Sequence, residues 1–216
     1  MRKNFTEIVF ILDESGSMSD LKSDTIGGFN SLIERQRNEE GEAVVSTVLF
    51  SNDSRVVHDR MPLEKVEKMT DKDYCPNGCT ALLDAVGDAV KHIGNIHKYA
   101  REEDVPEHTL FVITTDGMEN ASRRYSAGDV KKLISRQQEK YGWEFVFLGA
   151  NIDAAETAES IGISRETAVD YHCDVMGSAI QYDAMCEAVS SVRRGRKLSK
   201  SLNWRKAADE DFFRRK

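Results

Sequence analysis

Ile8 to Leu12 is an unbroken run of large apolar residues, and it stops abruptly at Asp13. A strand with one wet face alternates polar and apolar side chains, so five apolar residues in succession suit a strand buried on both faces of a parallel sheet. The run gives way to Asp13-Glu14-Ser15-Gly16-Ser17-Met18, an acid and two hydroxyls at alternate positions around a glycine. In open α/β sheets the carboxyl ends of the strands are where ligands sit. Oxygen donors gathered there suit a hard divalent cation, and Gly16 lets the loop turn tightly enough for both serines to face one point.

The rest of the chain repeats the alternation of strand and helix. Thr25, Phe29, Leu32 and Ile33 recur at helical spacing, with Ser19 as the expected cap and Asp20 suited to the helix's positive end. Gly27-Gly28 inside that helix implies close packing of backbone against the sheet or a kink. Val44–Phe50 and Arg55–His58 are β-forming runs joined by Ser51-Asn52-Asp53-Ser54, a turn so short that the two strands must be antiparallel. Residues 62–78 read as loop with a short helix. Leu82, Ala85, Val86, Ala89, Val90 and Ile93 keep one helical face without a break. Strands are expected at Leu110–Ile113, Phe145–Leu148 and Thr167–Tyr171, and helices around Val130–Ile134, Ala154–Ile161 and Met185–Val192. The pattern predicts an α/β fold: a doubly wound, Rossmann-like, mostly parallel six-stranded sheet with one antiparallel edge strand and helices on both faces.

Two further oxygen donors fall where such a sheet would deliver them. Thr80 stands just before a helix, and Asp116 comes after the buried strand ending in Thr114-Thr115. In order and context, Asp13-x-Ser15-x-Ser17, Thr80 and Asp116 resemble the metal-ion-dependent adhesion site of von Willebrand factor type A domains, over roughly residues 5–192. The resemblance implies a non-enzymatic, metal-dependent protein-binding module. In the family the hydroxyls bind the ion directly and the aspartates act mainly through waters. Magnesium, with manganese or calcium as alternatives, would keep a position open for an Asp or Glu carboxylate of a partner protein. In similar microbial, intracellular members that partner is often an AAA-type ATPase. In some relatives of the family, ligand exchange at the site is coupled to movement of the last helix, and the matching segment here is about Ile180–Val192.

Other chemistries lack a required group. A haloacid-dehalogenase-type phosphohydrolase also places an Asp after its first strand and uses magnesium, but needs a second Asp two residues on as general acid, where this chain has Ser15. No G-x-G-x-x-G stands after a strand. The five histidines show no chelating spacing and read mostly as surface residues, so no catalytic residue is expected. Cys75 and Cys79 form one C-x3-C, short of the four ligands of a structural zinc site.

Charge divides the chain. Residues 193–216 hold ten Lys or Arg against three Asp or Glu, net +7, which leaves −14 on residues 1–192 against a chain total of −7. An acidic body argues against nucleic-acid binding as the main function. The expectation is one domain over residues 1–192 and a basic tail over 193–216, read as a solvated extension. Trp204, Phe212 and Phe213 among the charges give a second reading, a nucleic-acid-binding arm. No apolar run approaches the roughly 18 residues of a membrane span, and no signal peptide is recognisable, so a cytoplasmic location is expected.

Overall fold

The computed structural model describes residues 1–215. In chain order the main elements are β1 (Arg2–Asp13), α1 (Lys22–Arg37), β2 (Glu42–Phe50), β3 (Ser54–Pro62), α2 (Leu82–Tyr99), β4 (Pro106–Thr115), α3 (Ala127–Tyr141), β5 (Glu144–Gly149), α4 (Ala154–Ser160), β6 (Ala168–Asp170), α5 (Val175–Arg193) and α6 (Lys206–Arg214). The six strands form one sheet in the order β3-β2-β1-β4-β5-β6. All neighbours are parallel except β2 and β3. The expected antiparallel edge strand is β3.

β1 sits in the middle of the sheet, and its apolar run is divided between two cores by the two-residue strand period. Ile8, Phe10 and Leu12 pack with α1 and α5 on one face; Val9 and Ile11 pack with α2, α3 and α4 on the other. The predicted apolar face of α2 is buried at every named position. The order reverses between β1 and β4, which both continue into loops at the same sheet edge. That crevice is the switch point at which doubly wound sheets bind ligands.

Three local expectations are corrected. Ser19 does not cap α1. Residues Gly16–Leu21 form a 3-10 turn that runs into the helix, and the Ser19 hydroxyl donates to the Gly16 carbonyl at 2.7 Å. Of the glycine pair only Gly28 is explained, by a helix rather than by the sheet: a Cβ on Gly28 would lie 2.2 Å from the Tyr182 ring of α5, whereas one on Gly27 would meet nothing within 4 Å. The histidines are not mostly superficial. His58 is buried and stacked on Phe29, with ring centroids 6.3 Å apart, and His97 is largely enclosed.

The basic tail is not a solvated extension. After Arg193 the chain makes two short 3-10 turns and α6, and Leu198, Trp204 and Ala208 join the α1–α5 core. Arg193 donates to the carbonyls of Glu39, Glu40 and Gly41 in the α1–β2 loop, and Arg194 pairs with Glu39 at 2.6 Å. Arg215 bridges Asp174 and Asp211. With Trp204 3% exposed, the tail offers no stacking platform at that residue. Lys216 lies outside the described residues. Among them, no helix is long and apolar enough to cross a membrane.

Candidate metal centre

β1 delivers Asp13 to the sheet edge fully buried, and the next residues turn back across it. The Asp13 carboxylate accepts the Ser15 backbone N–H at 2.7 Å and the Thr115 hydroxyl at 2.6 Å. This fixes both of its oxygens, one from the loop that follows β1 and one from the adjacent strand β4. The Ser15 and Ser17 hydroxyls lie 3.1 Å apart, and Ser17 donates to Asp116 Oδ1 at 2.6 Å. Asp13, Ser15, Ser17 and Asp116 thus form one connected cluster, although about a hundred residues separate Ser17 from Asp116. Asp13, Ser15 and Asp116 are buried and Ser17 opens to solvent, so the cluster has a closed floor and one accessible side.

Thr80 arrives on a separate loop. Its backbone N–H donates to Asn120 Oδ1 at 2.9 Å, and its carbonyl accepts the Asn120 N–H at 3.1 Å. This clamps Thr80 to the loop after Asp116. The Thr80 hydroxyl lies 3.8 Å from where a Cβ on Gly117 would sit, against the Asp116–Gly117 turn. The Gly16 N–H donates to the Gly78 carbonyl at 3.1 Å and ties the serine loop to the Thr80 loop. Gly78 has φ +74°, and a Cβ there would lie 2.8 Å from the Asn52 amide, so this junction requires glycine on both counts.

The electrostatics favour a cation. Asp13 and Asp116 are buried carboxylates, and among the described residues neither has a Lys, Arg or His partner within ion-pair distance. Burial raises the Asp13 carboxyl above its ordinary value, against the opposing hydrogen bonds from Ser15 and Thr115, and the nearby Asp116 charge adds to the rise. Buried charges are ordinarily paired or bound to metal. The donors present are carboxylate and hydroxyl oxygens, the set that suits a hard divalent ion. Among the described residues no group of three His, Cys, Asp or Glu side chains is placed to hold a metal. A site here depends on its hydroxyls.

Several supporting residues carried no recognisable sequence signal. Tyr74, fully buried within the segment read as loop, donates its hydroxyl to the Asp13 carbonyl. Glu14 accepts from Arg55 at 2.8 Å and pins the loop that carries Cys75. Asp84, in the first turn of α2, accepts the backbone N–H groups of Arg123, Arg124 and Tyr125 and shapes the loop after Asp116. Burial opposes ionisation of Asp84, but these bonds hold its carboxyl below the ordinary range. Cys173 and Asn151 touch Asp116 from the β6–α5 and β5–α4 loops, at 3.8 and 3.2 Å. Cys75 and Cys79 are exposed free thiols.

No protein-family model matches the chain, and no curated protein does. Solved structures do. A proximal thread matrix protein of the mussel byssus, with its adhesion-site motif occupied by zinc, superposes with a TM-score of 0.59 at 14% identity over 86% of this chain and 46% of its own. A von Willebrand factor type A protein from Catenulispora acidiphila gives 0.57 at 16% over 86% and 43%. The manganese-loaded TRAP protein of Plasmodium vivax gives 0.56 at 14% over 83% and 72%. The chain spans less than half the length of the first two. Strand order, the antiparallel edge and these superpositions agree: the chain has the von Willebrand factor type A fold.

Proposed function

We propose that the protein is a metal-dependent protein-binding module in which Asp13, Ser15, Ser17, Thr80 and Asp116 hold a divalent cation, magnesium by preference. The observation that carries this reading is the pair of buried carboxylates with no cationic side-chain partner among the described residues, joined through Ser15 and Ser17 at the solvent side of the switch point. The superposed mussel protein with zinc in its adhesion-site motif and the manganese-loaded TRAP protein support it. When bound, the ion supplies an electron-poor centre with a position open to an Asp or Glu carboxylate of a partner protein, of which AAA-type ATPases are the class suggested by the sequence resemblance. The chain's own residues orient it. Thr115 and the Ser15 N–H hold Asp13 in one rotamer, Asn120 holds Thr80, and the neutral hydroxyls donate oxygen without cancelling the ion's charge. No general acid stands two residues after Asp13, so turnover is not part of the proposal.

Titration with Mn2+, monitored by electron paramagnetic resonance and competed with Mg2+, tests the site. One ion should bind the wild-type chain, Asp116→Ala should abolish binding, and Ser17→Ala should weaken it by about tenfold, the scale at which ligand-shell changes act. Equal binding by wild type and Asp116→Ala would reject the site. Magnesium-dependent hydrolysis of a phosphate ester, lost in Asp13→Ala, would overturn the binding-module reading in favour of a phosphohydrolase.

A further inference from the structure

Two segments that meet at Asp116 carry exposed apolar surface that the fold does not account for. Nine large apolar side chains are exposed among the described residues, and three of them, Met118, Val175 and Met176, belong to these segments. Met118, 74% exposed, stands two residues after Asp116. Val175 and Met176, 66% and 48% exposed, open α5 just after Cys173, whose thiol lies 3.8 Å from Asp116 Oδ2. Neither core includes any of the three. Single exposed apolar residues are ordinary, but several gathered at one site mark an interaction surface.

The backbone holds both segments in place. The Asn120 N–H donates to the Thr80 carbonyl at 3.1 Å, and Glu119 accepts the Leu83 and Ser122 N–H groups at 2.9 and 2.7 Å. The chain after Met118 is thereby fastened to Thr80 and the start of α2. Asp174 caps α5 by accepting the Gly177 N–H at 2.7 Å and pairs with Arg215 at 2.6 Å. Glu119 and Asp174, the acids beside these apolar residues, are therefore both engaged within the fold.

A metal ion attracts any carboxylate, and every protein surface offers carboxylates. Discrimination between partners must come from what surrounds the ion. The surroundings here are apolar, and two of the three side chains are methionines, whose unbranched thioethers adapt to differently shaped partners. We infer that the carboxylate taken at the metal centre belongs to a partner segment in which large apolar residues flank the Asp or Glu, and that Met118, Val175 and Met176 receive those residues. The complementarity is of two kinds, cation to acid at the centre and apolar to apolar around it. This inference rests on the metal-binding reading above.

The test measures fluorescence anisotropy of labelled peptides with the full wild-type chain in magnesium. One peptide has a central aspartate flanked by leucine and phenylalanine, a second has serine at the flanking positions, and a third keeps the apolar flanks but has asparagine at the centre. The first should bind with a dissociation constant below about 1 mM. Serine flanks should weaken binding at least about tenfold, the scale of burying one or two apolar side chains, and asparagine or chelator should weaken it as much. Met118→Ser combined with Met176→Ser should bring the first peptide to within about threefold of the second. Equal affinity for the first two peptides, binding that survives chelator or asparagine, unaltered affinity in the double variant, or no binding of any peptide would overturn the inference. Mn2+ titration of the wild-type chain separates the two levels. A bound ion without preference for apolar flanks overturns this inference alone, whereas no bound ion rejects the metal site with it. The peptide comparison needs only wild-type protein, so a defect in the double variant does not remove the test.

Discussion

Single side chains in this protein are explained by what they meet across the sheet more than by their neighbours in sequence. His58 illustrates it. Its alternating strand context suits either face, yet the ring lies flat against Phe29 and within 3.1 Å of the Thr47 hydroxyl. Burial there disfavours the charged ring and lowers its proton affinity below the ordinary 6.5, more than nearby Asp73 and Glu67 raise it. The folded pKa is therefore below the unfolded one. The neutral ring contributes stability that is complete above about pH 6.5 and is lost as the pH falls from there through the folded value, because the unfolded chain takes up a proton that the fold resists. Urea denaturation at pH 7.5, 6.5 and 5.5 should show stability falling toward the acid end, with a shallower fall in His58→Phe. An identical slope in the two proteins would assign the effect to other groups.

At the scale of elements, the contact between α1 and α5 decides the two adjacent glycines differently. Gly28 is where the Tyr182 ring lies directly on the helix backbone, so a methyl group must displace a buried aromatic side chain. Gly27 faces open space in ordinary helical geometry. Gly28→Ala should destabilise the fold by about 1–3 kcal/mol through overpacking, while Gly27→Ala should stabilise it by about 0.4–1 kcal/mol by restricting the unfolded chain. Thermal unfolding distinguishes the two, and midpoints shifted in the same direction would contradict the packing described. The sequence showed a helix with an unfavourable pair of glycines; which of them is needed depended on the partner helix, some 150 residues away. The loop after Asp116 behaves likewise. The acid was recognisable from the strand before it, but Asp84 and Asn120, which hold that loop and Thr80 in place, look like ordinary surface residues in sequence.

For the whole molecule, the carboxyl-terminal segment is part of the globule. Trp204, Leu198 and Ala208 complete the core on the α1–α5 side, and Phe212 stacks on His172 with centroids 4.9 Å apart. Deleting residues 196–216 should lower stability by at least about 3 kcal/mol from the apolar surface of Trp204 and Leu198 alone, and should produce binding of a hydrophobic dye. A truncated chain as stable as the full one would restore the view of a detachable tail. Equal retention of both on a polyanion matrix would dispose of the nucleic-acid reading, in keeping with arginines already engaged by Glu39, Asp174, Asp209 and Asp211.

Local sequence was enough for the class of fold, because a strand buried on both faces must be apolar throughout and a helix on a sheet must be apolar at every third or fourth residue. It also offered Asp13, Ser15, Ser17, Thr80 and Asp116 as candidate oxygen donors: each stands just after a strand or before a helix, and the resemblance to a family motif joined them into the one site proposed above. Tertiary contacts settled which side chains support them, that Leu198, Trp204 and Ala208 of the basic segment join the core, and that Glu7, Arg60 and His97 meet. Those outcomes rest on contacts between residues distant in the chain, and no local periodicity reports them.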